Sequence, residues 1–190
     1  IETIRCKTYV YLSTGDVYAA QTGPSVTQES QVIDPARLSR YGLHKLMAET
    51  LVRGTQERWL IVRMGGMVGP GLRKNAIYDM LAGEPVRLSP QSELQFIATD
   101  STARLVWSLI ERNIAGEIVN IGARGRVNLG DLHRRINSAS PFVEGAPLVR
   151  YELSLDKLAG LIGATLPESQ QEVDAFLAGR AAAPKPGGVS

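Results

Sequence analysis

The sequence predicts an α/β fold built on a parallel sheet, and three observations carry that expectation. Two short runs, Tyr9-Val10-Tyr11-Leu12 and Trp59-Leu60-Ile61-Val62, have the continuous apolar and aromatic character of strands covered on both faces. Between them Leu43, Leu46, Met47, Thr50 and Leu51 recur at offsets of three and four, the period of a helix. A strand, a helix and a strand in that order make a right-handed βαβ crossover, so the two strands run parallel.

Each element follows in turn. The first strand runs into a polar stop, Ser13-Thr14-Gly15-Asp16. Gly23-Pro24 and Asp34-Pro35 punctuate a loop. The helix spans about residues 39–53, with Ser39 as its N-cap. The second strand ends in the glycine-rich stretch Met64-Gly65-Gly66-Met67-Val68-Gly69-Pro70-Gly71. Residues 103–110 read as a helix and 117–121 as a strand closing at Gly122. Residues 72–95 read as helix plus loop, and residues 128–138 and 154–163 as helical, with Leu129, Leu132 and Ile136 in step. These segments do not continue the βαβ alternation. Residues 1–71 and 96–125 are therefore expected to form the sheet, and 72–95 and 126–180 a small, mostly helical substrate lobe over its carboxyl edge. Residues 181–190, small and rich in Pro and Gly, are expected to be a disordered tail.

Composition narrows the function classes. A length of 190 residues suits one domain, or one domain with a lobe. The net charge of +2 is too small to imply nucleic acid. No apolar run approaches the ~20 residues that span a bilayer, and no signal peptide is visible. A single cysteine excludes an internal disulfide framework and fits a reducing compartment, so a cytoplasmic location is expected. Two histidines and that cysteine offer no metal-ligand spacing.

The chemistry resides in Tyr41-Gly42-Leu43-His44-Lys45. A separation of four residues puts Tyr41 and Lys45 on one helix face, one turn apart. A fixed cation favours a neighbouring phenolate, which can then exchange a proton with a substrate hydroxyl. Spacing alone would equally describe a solvated helix surface. The setting favours chemistry, because a strand ending in Ser13-Thr14 precedes this helix and a glycine-rich strand end follows it. Ligands of open α/β sheets bind at that carboxyl edge.

The ordered series YVYLSTGDVYA, YGLHKLMAE, WLIVRMGGMVGPG, LQFIATDSTARLV and GEIVNIG resembles the extended short-chain dehydrogenase/reductases, the NAD-dependent epimerase/dehydratase family, from about Tyr9 to Gly122. The resemblance implies the C-terminal half of a doubly wound, Rossmann-type sheet and an enzyme using NAD or NADP. By position, Tyr41 would be the catalytic acid/base, Lys45 would hold the nicotinamide ribose and lower the tyrosine pKa, and Thr14 would bind the substrate oxygen. Ser13, Met64 and Gly65 would lie on the cofactor side, and Asp16, Gly66 and Gln95 on the substrate side. A small-molecule substrate, with nucleotide sugars among the candidates, is implied. So is a homodimer paired partly through the Tyr-Lys helix, around Leu46 and Thr50.

Two departures bear on this. No glycine-rich strand-turn-helix fingerprint precedes Tyr9, so roughly one mononucleotide-binding half, on the order of a hundred residues, is expected to be missing. Leu94 stands where sugar-nucleotide members often carry an arginine. The rival reading is a cofactor-less member, or a fragment, acting as a binding or scaffold protein.

Overall fold

The computed structural model describes residues 6–182. Strand β1 (Tyr9–Thr14) leads through a 3₁₀ turn at Gly15–Val17 and a long loop to helix α1 (Arg40–Thr55). There follow β2 (Trp59–Met64), β3 (Gly66–Val68), α2 (Ala76–Ala82), β4 (Glu93–Leu94), β5 (Phe96–Ala98) and α3 (Thr99–Glu111). The chain continues as β6 (Glu117–Ile121), β7 (Val127–Asn128), α4 (Leu129–Arg135), β8 (Arg150–Tyr151), α5 (Asp156–Ile162) and α6 (Ser169–Ala182). Of the expected tail, residues 181 and 182 end α6, and 183–190 lie outside the described residues.

The main sheet has the order β1-β2-β6 and is parallel throughout. Its register aligns Thr14 with Met64 and Met64 with Ile121, so all three strands finish in one row at the carboxyl edge. The expected βαβ unit is present, and Ser39 caps α1 by accepting the Gly42 N–H. The face of α1 that packs is different from the expected one. Gly42, Glu49 and Val52 are buried, whereas Met47 and Leu51 of the apolar stripe are each 57% exposed. The reason lies in two contacts. Gly42 approaches the Asp16 carbonyl so closely that a Cβ there would sit 2.3 Å from it, and Glu49 reaches Arg63 on β2. With those contacts made, Leu46 of the stripe still packs against the sheet's core, while Met47 and Leu51 stay outside.

Two cores lie on either side of the short parallel pair β3-β5. Alternation along a strand points successive residues to opposite faces. Ile97 and Met67 accordingly join the core beneath the main sheet, and Phe96 and Val68 join the core of the lobe. The structure divides the chain differently from the sequence expectation. Leu153, Leu155, Leu158, Ile162 and Leu166, read as lobe, pack in the sheet's core, because α5 lies against β6 and α3. The lobe is mostly helical, as expected. Beside α2, α4 and α6 it holds a small sheet, β7-β4-β8, whose strands are two residues each.

Side chains complete the framework. Ser169 brackets the backbone of Phe96, donating to its carbonyl (2.7 Å) and accepting from its N–H (2.8 Å). Helix α3 has no side-chain cap of its own, and Glu172 of α6 supplies one by accepting from Ala98 N–H (2.6 Å) and the Ser101 hydroxyl (2.9 Å). Asn120, fully buried on β6, accepts from the Tyr18 hydroxyl (2.9 Å) and donates to the carbonyls of Thr27 (2.7 Å) and Ser154 (3.0 Å). A buried amide left unpaired would cost about 1–3 kcal/mol, so these bonds fix the loop and the segment after β8 against the sheet.

Candidate active site

A cavity of about 940 Å³ opens at the carboxyl ends of β1 and β2. Ser13, Thr14, Asp16 and Tyr41 border it on the sheet side, and the loop from Met64 to Asn75 closes it on the lobe side. Both predicted parts of the site therefore meet where a crossover sheet binds ligands.

Each predicted residue has a definite place. Thr14 ends β1, and its hydroxyl oxygen accepts the Asp16 N–H (3.2 Å). That bond uses an acceptor lone pair and leaves the hydroxyl proton free for a substrate oxygen. Tyr41, in the first turn of α1, is 54% exposed and borders the cavity. Lys45 lies one turn further along. Its ammonium donates to the Leu12 carbonyl (2.9 Å), 5.9 Å from the centre of the Tyr41 ring and 5.2 Å from that of Tyr11. A cation over two aromatic faces is held in place electrostatically. Met64, Gly65 and Gly66 form the cavity wall where β2 gives way to β3.

Asp16 borders the cavity, and burial raises its carboxyl above the usual range. Ser13 also borders the cavity, although its hydroxyl is directed to Glu49. Gln95 is placed elsewhere. It is 1% exposed, and its side-chain amide is paired with the backbone of Leu153, donating to the carbonyl (3.4 Å) and accepting the N–H (3.1 Å). It lines a separate, smaller cavity with Arg124, Glu152 and Asp156, away from the cavity that Thr14 and Tyr41 border. The physical reason is that Gln95 carries the chain from β4 to β5 and stitches β8 to that junction.

Three features escaped the sequence reading. Gly15 lets Tyr151 of the lobe lie directly over the 3₁₀ turn, since a Cβ there would stand 2.1 Å from the tyrosine oxygen. Burial foremost, then the charge of Asp16 with Tyr18 and Tyr41, pushes the Tyr151 phenol far up, so it stays neutral. Arg73 and Lys74 bring two exposed cations to the cavity's lobe side. Glu49 and Arg63 form a buried ion pair just behind the strand ends. The signal available beforehand was weak in each case: a tyrosine in a segment without periodicity, a loop dipeptide, and two charges fourteen positions apart.

Among the described residues no cluster of three or more His, Cys, Asp or Glu could hold a metal ion. None of their helices is long and apolar enough to cross a membrane.

Solved structures share this fold. UDP-glucuronic acid 4-epimerase from Bacillus cereus, in complex with UDP-glucuronic acid and NAD, matches with a TM-score of 0.72 at 23% identity, over 92% of this chain and 62% of that one. dTDP-glucose 4,6-dehydratase from Bacillus anthracis, in complex with NAD, matches with a TM-score of 0.71 at 16% identity, over 90% of this chain and 62% of that one. RMD from Pseudomonas aeruginosa, complexed with NADPH, matches with a TM-score of 0.66 at 20% identity, over 90% and 65%. The chain thus spans less than two thirds of each of these proteins. No curated protein matches it. The family model described as NAD dependent epimerase/dehydratase family matches residues 1–122, which hold β1, α1, β2, the cavity wall and β6. The sheet, its crossover helix and the row of residues at its carboxyl edge are thus those of a member of the NAD dependent epimerase/dehydratase family.

Proposed function

We propose that the whole protein is an NAD(P)-dependent enzyme that acts at a substrate hydroxyl or carbonyl, with Tyr41 as acid/base. The observation that carries this reading is the convergence of Thr14 and Tyr41 on one cavity, with Lys45 a turn behind the tyrosine. The donors present suit the nicotinamide-ribose end of the cofactor: the Tyr41 hydroxyl and the Lys45 ammonium can meet ribose oxygens. Gly65 and Gly66 present no side chain where the wall begins beyond Met64. When bound, NAD or NADP supplies hydride exchange at the substrate carbon. Thr14 donates a hydrogen bond to the oxygen on that carbon and keeps its own proton, and Tyr41 takes or returns the one proton that the oxygen loses or gains. Lys45, one turn behind the tyrosine, holds the ribose beside it.

The UDP-glucuronic acid bound in the Bacillus cereus epimerase supports a nucleotide sugar as the substrate class. Arg73 and Lys74 are placed to meet its phosphates in the absence of an arginine at Leu94. Met47 and Leu51 supply an apolar surface on α1 for a homodimer, and a reducing cytoplasm suits the exposed Cys6. Tyr41→Phe in the whole protein should lower turnover by on the order of 10²–10⁴, far more than it weakens cofactor binding. Steady-state kinetics with calorimetric cofactor titration checks this. Turnover at the wild-type rate would retire the acid/base assignment and leave the binding or scaffold reading.

A further inference from the structure

Glu49 takes no part in proton transfer, yet it is 2% exposed on a helix that leaves Met47 and Leu51 outside. It lies four residues beyond Lys45 and eight beyond Tyr41, so the three side chains follow one another along α1 at successive turns. Its carboxylate is shared. Oε1 accepts from the Ser13 hydroxyl and from Arg63 Nε (3.1 Å), and Oε2 accepts from Arg63 Nη2 (2.7 Å). Ser13 immediately precedes Thr14 on β1, and Arg63 immediately precedes Met64 on β2. One carboxylate therefore joins the helix that carries Tyr41 to both strand ends that form the cavity floor. Beyond it, the Arg63 guanidinium lies 4.9 Å from the Tyr18 ring centre, and Tyr18 donates to Asn120 on β6.

Such an arrangement is a poor source of stability. Removing both charges from water costs several kcal/mol, and well-packed apolar replacements of a buried pair are often no less stable. Here the cost is greater still, since Arg63 Nη1 is buried without a hydrogen-bond partner. What the pair supplies is direction: a bidentate fork fixes distance and angle together, which apolar packing does not.

We propose that Glu49, through the carboxylate it shares between Ser13 and Arg63, is a positioning residue that sets the height and roll of α1 and so the placement of Tyr41 relative to Thr14. The inference rests on the roles given above to Tyr41 and Thr14. Displacements near 1 Å at a reacting centre can cost on the order of 10²-fold in rate.

The test compares the whole protein with Glu49→Gln, Ser13→Ala, Tyr41→Phe and the double variant Glu49→Leu/Arg63→Met, measuring kcat, KM and thermal midpoint for each. Glu49→Gln strands the buried guanidinium and should lower both midpoint and kcat. The double variant should regain the midpoint while its kcat stays on the order of 10–100-fold low, with substrate KM within about threefold. A double variant with wild-type midpoint and wild-type kcat would confine the pair to stability and overturn the proposal. If the double variant does not fold, Ser13→Ala decides, because it removes the link to β1 and keeps the ion pair. A kcat about tenfold low at a near-wild-type midpoint supports positioning, and an unchanged kcat overturns it. Inactive Tyr41→Phe beside a fully active double variant would remove only the role of Glu49. Active Tyr41→Phe would remove the reading of the site and this inference with it.

Discussion

In the main sheet, β1 and β2 stay in register from Tyr9↔Trp59 to Thr14↔Met64, and Leu60, Ile61 and Val62 are wholly buried. In the lobe, side chains bond to the backbone of and around short strands: Ser169 on Phe96 and Glu172 on Ala98 at the two ends of β5, and Ser92 on Val149 N–H (3.0 Å) and Gln95 on Leu153 on either side of β8. The sheet positions its residues through a repeating main-chain ladder, which tolerates many side chains. The lobe does so through individual polar side chains, each of which a single substitution can remove. A cavity edge built on the first and a facing wall built on the second can vary independently.

The strongest challenge to that contrast is core truncation. Leu158→Ala beneath the sheet and Leu132→Ala in the lobe should each cost about 2–5 kcal/mol, since both side chains are almost fully buried. Hydrogen exchange should show protection lost throughout for Leu158→Ala, but mainly in α2, α4 and α6 for Leu132→Ala. Equal loss everywhere in both variants would make the two regions one cooperative unit.

Gly15→Ala attacks the seam between them. Its Cβ would stand 2.1 Å from the Tyr151 oxygen and 2.9 Å from Leu153 Cδ2, so those two side chains must move away from the 3₁₀ turn. A loss of about 1–3 kcal/mol is expected in thermal unfolding, with crystallography locating the shift at Tyr151 and Leu153 rather than in β1. Glu172→Gln keeps the shape of the α3 cap and removes its charge. It should cost about 1–2 kcal/mol and speed exchange at the first amides of α3, leaving β1 and β2 amides unaffected.

Asp16→Asn should have the smallest effect. Because burial raises the carboxyl in the fold, the folded chain holds that proton more tightly than the unfolded one. Stability is therefore undiminished below the ordinary value of 3.8 and falls as pH rises through the elevated one. The asparagine variant should melt slightly higher than wild type above that window and identically below it. A gain at low pH as well would assign the effect to packing.

The contrast also explains what could be read from sequence. The βαβ unit, its Ser39 cap, Tyr41, Lys45 and the 117–121 strand were legible because hydrophobic runs and a 3.6-residue period are local signals. The roll of α1 was not, since Glu49 and Gly42 outweighed the stripe of Leu43, Met47 and Leu51 through partners elsewhere in the chain. The position of Gln95 likewise depends on Leu153, fifty-eight residues away. Strands of two residues, such as β4, β7 and β8, carry no period at all.

The cap that α6 places on α3 also bears on the order of events during synthesis. Ala98 and Glu172 are separated by 74 residues, so at about 5–20 residues per second the Ala98 N–H that precedes α3 waits roughly 4–15 s for its acceptor to be made. The β1-α1-β2 unit has all its own partners by then and can close early. The nascent lobe has to wait for its closing helix, and through that interval the apolar side chains of α2 and α4 are open to chaperones or to a neighbouring nascent chain.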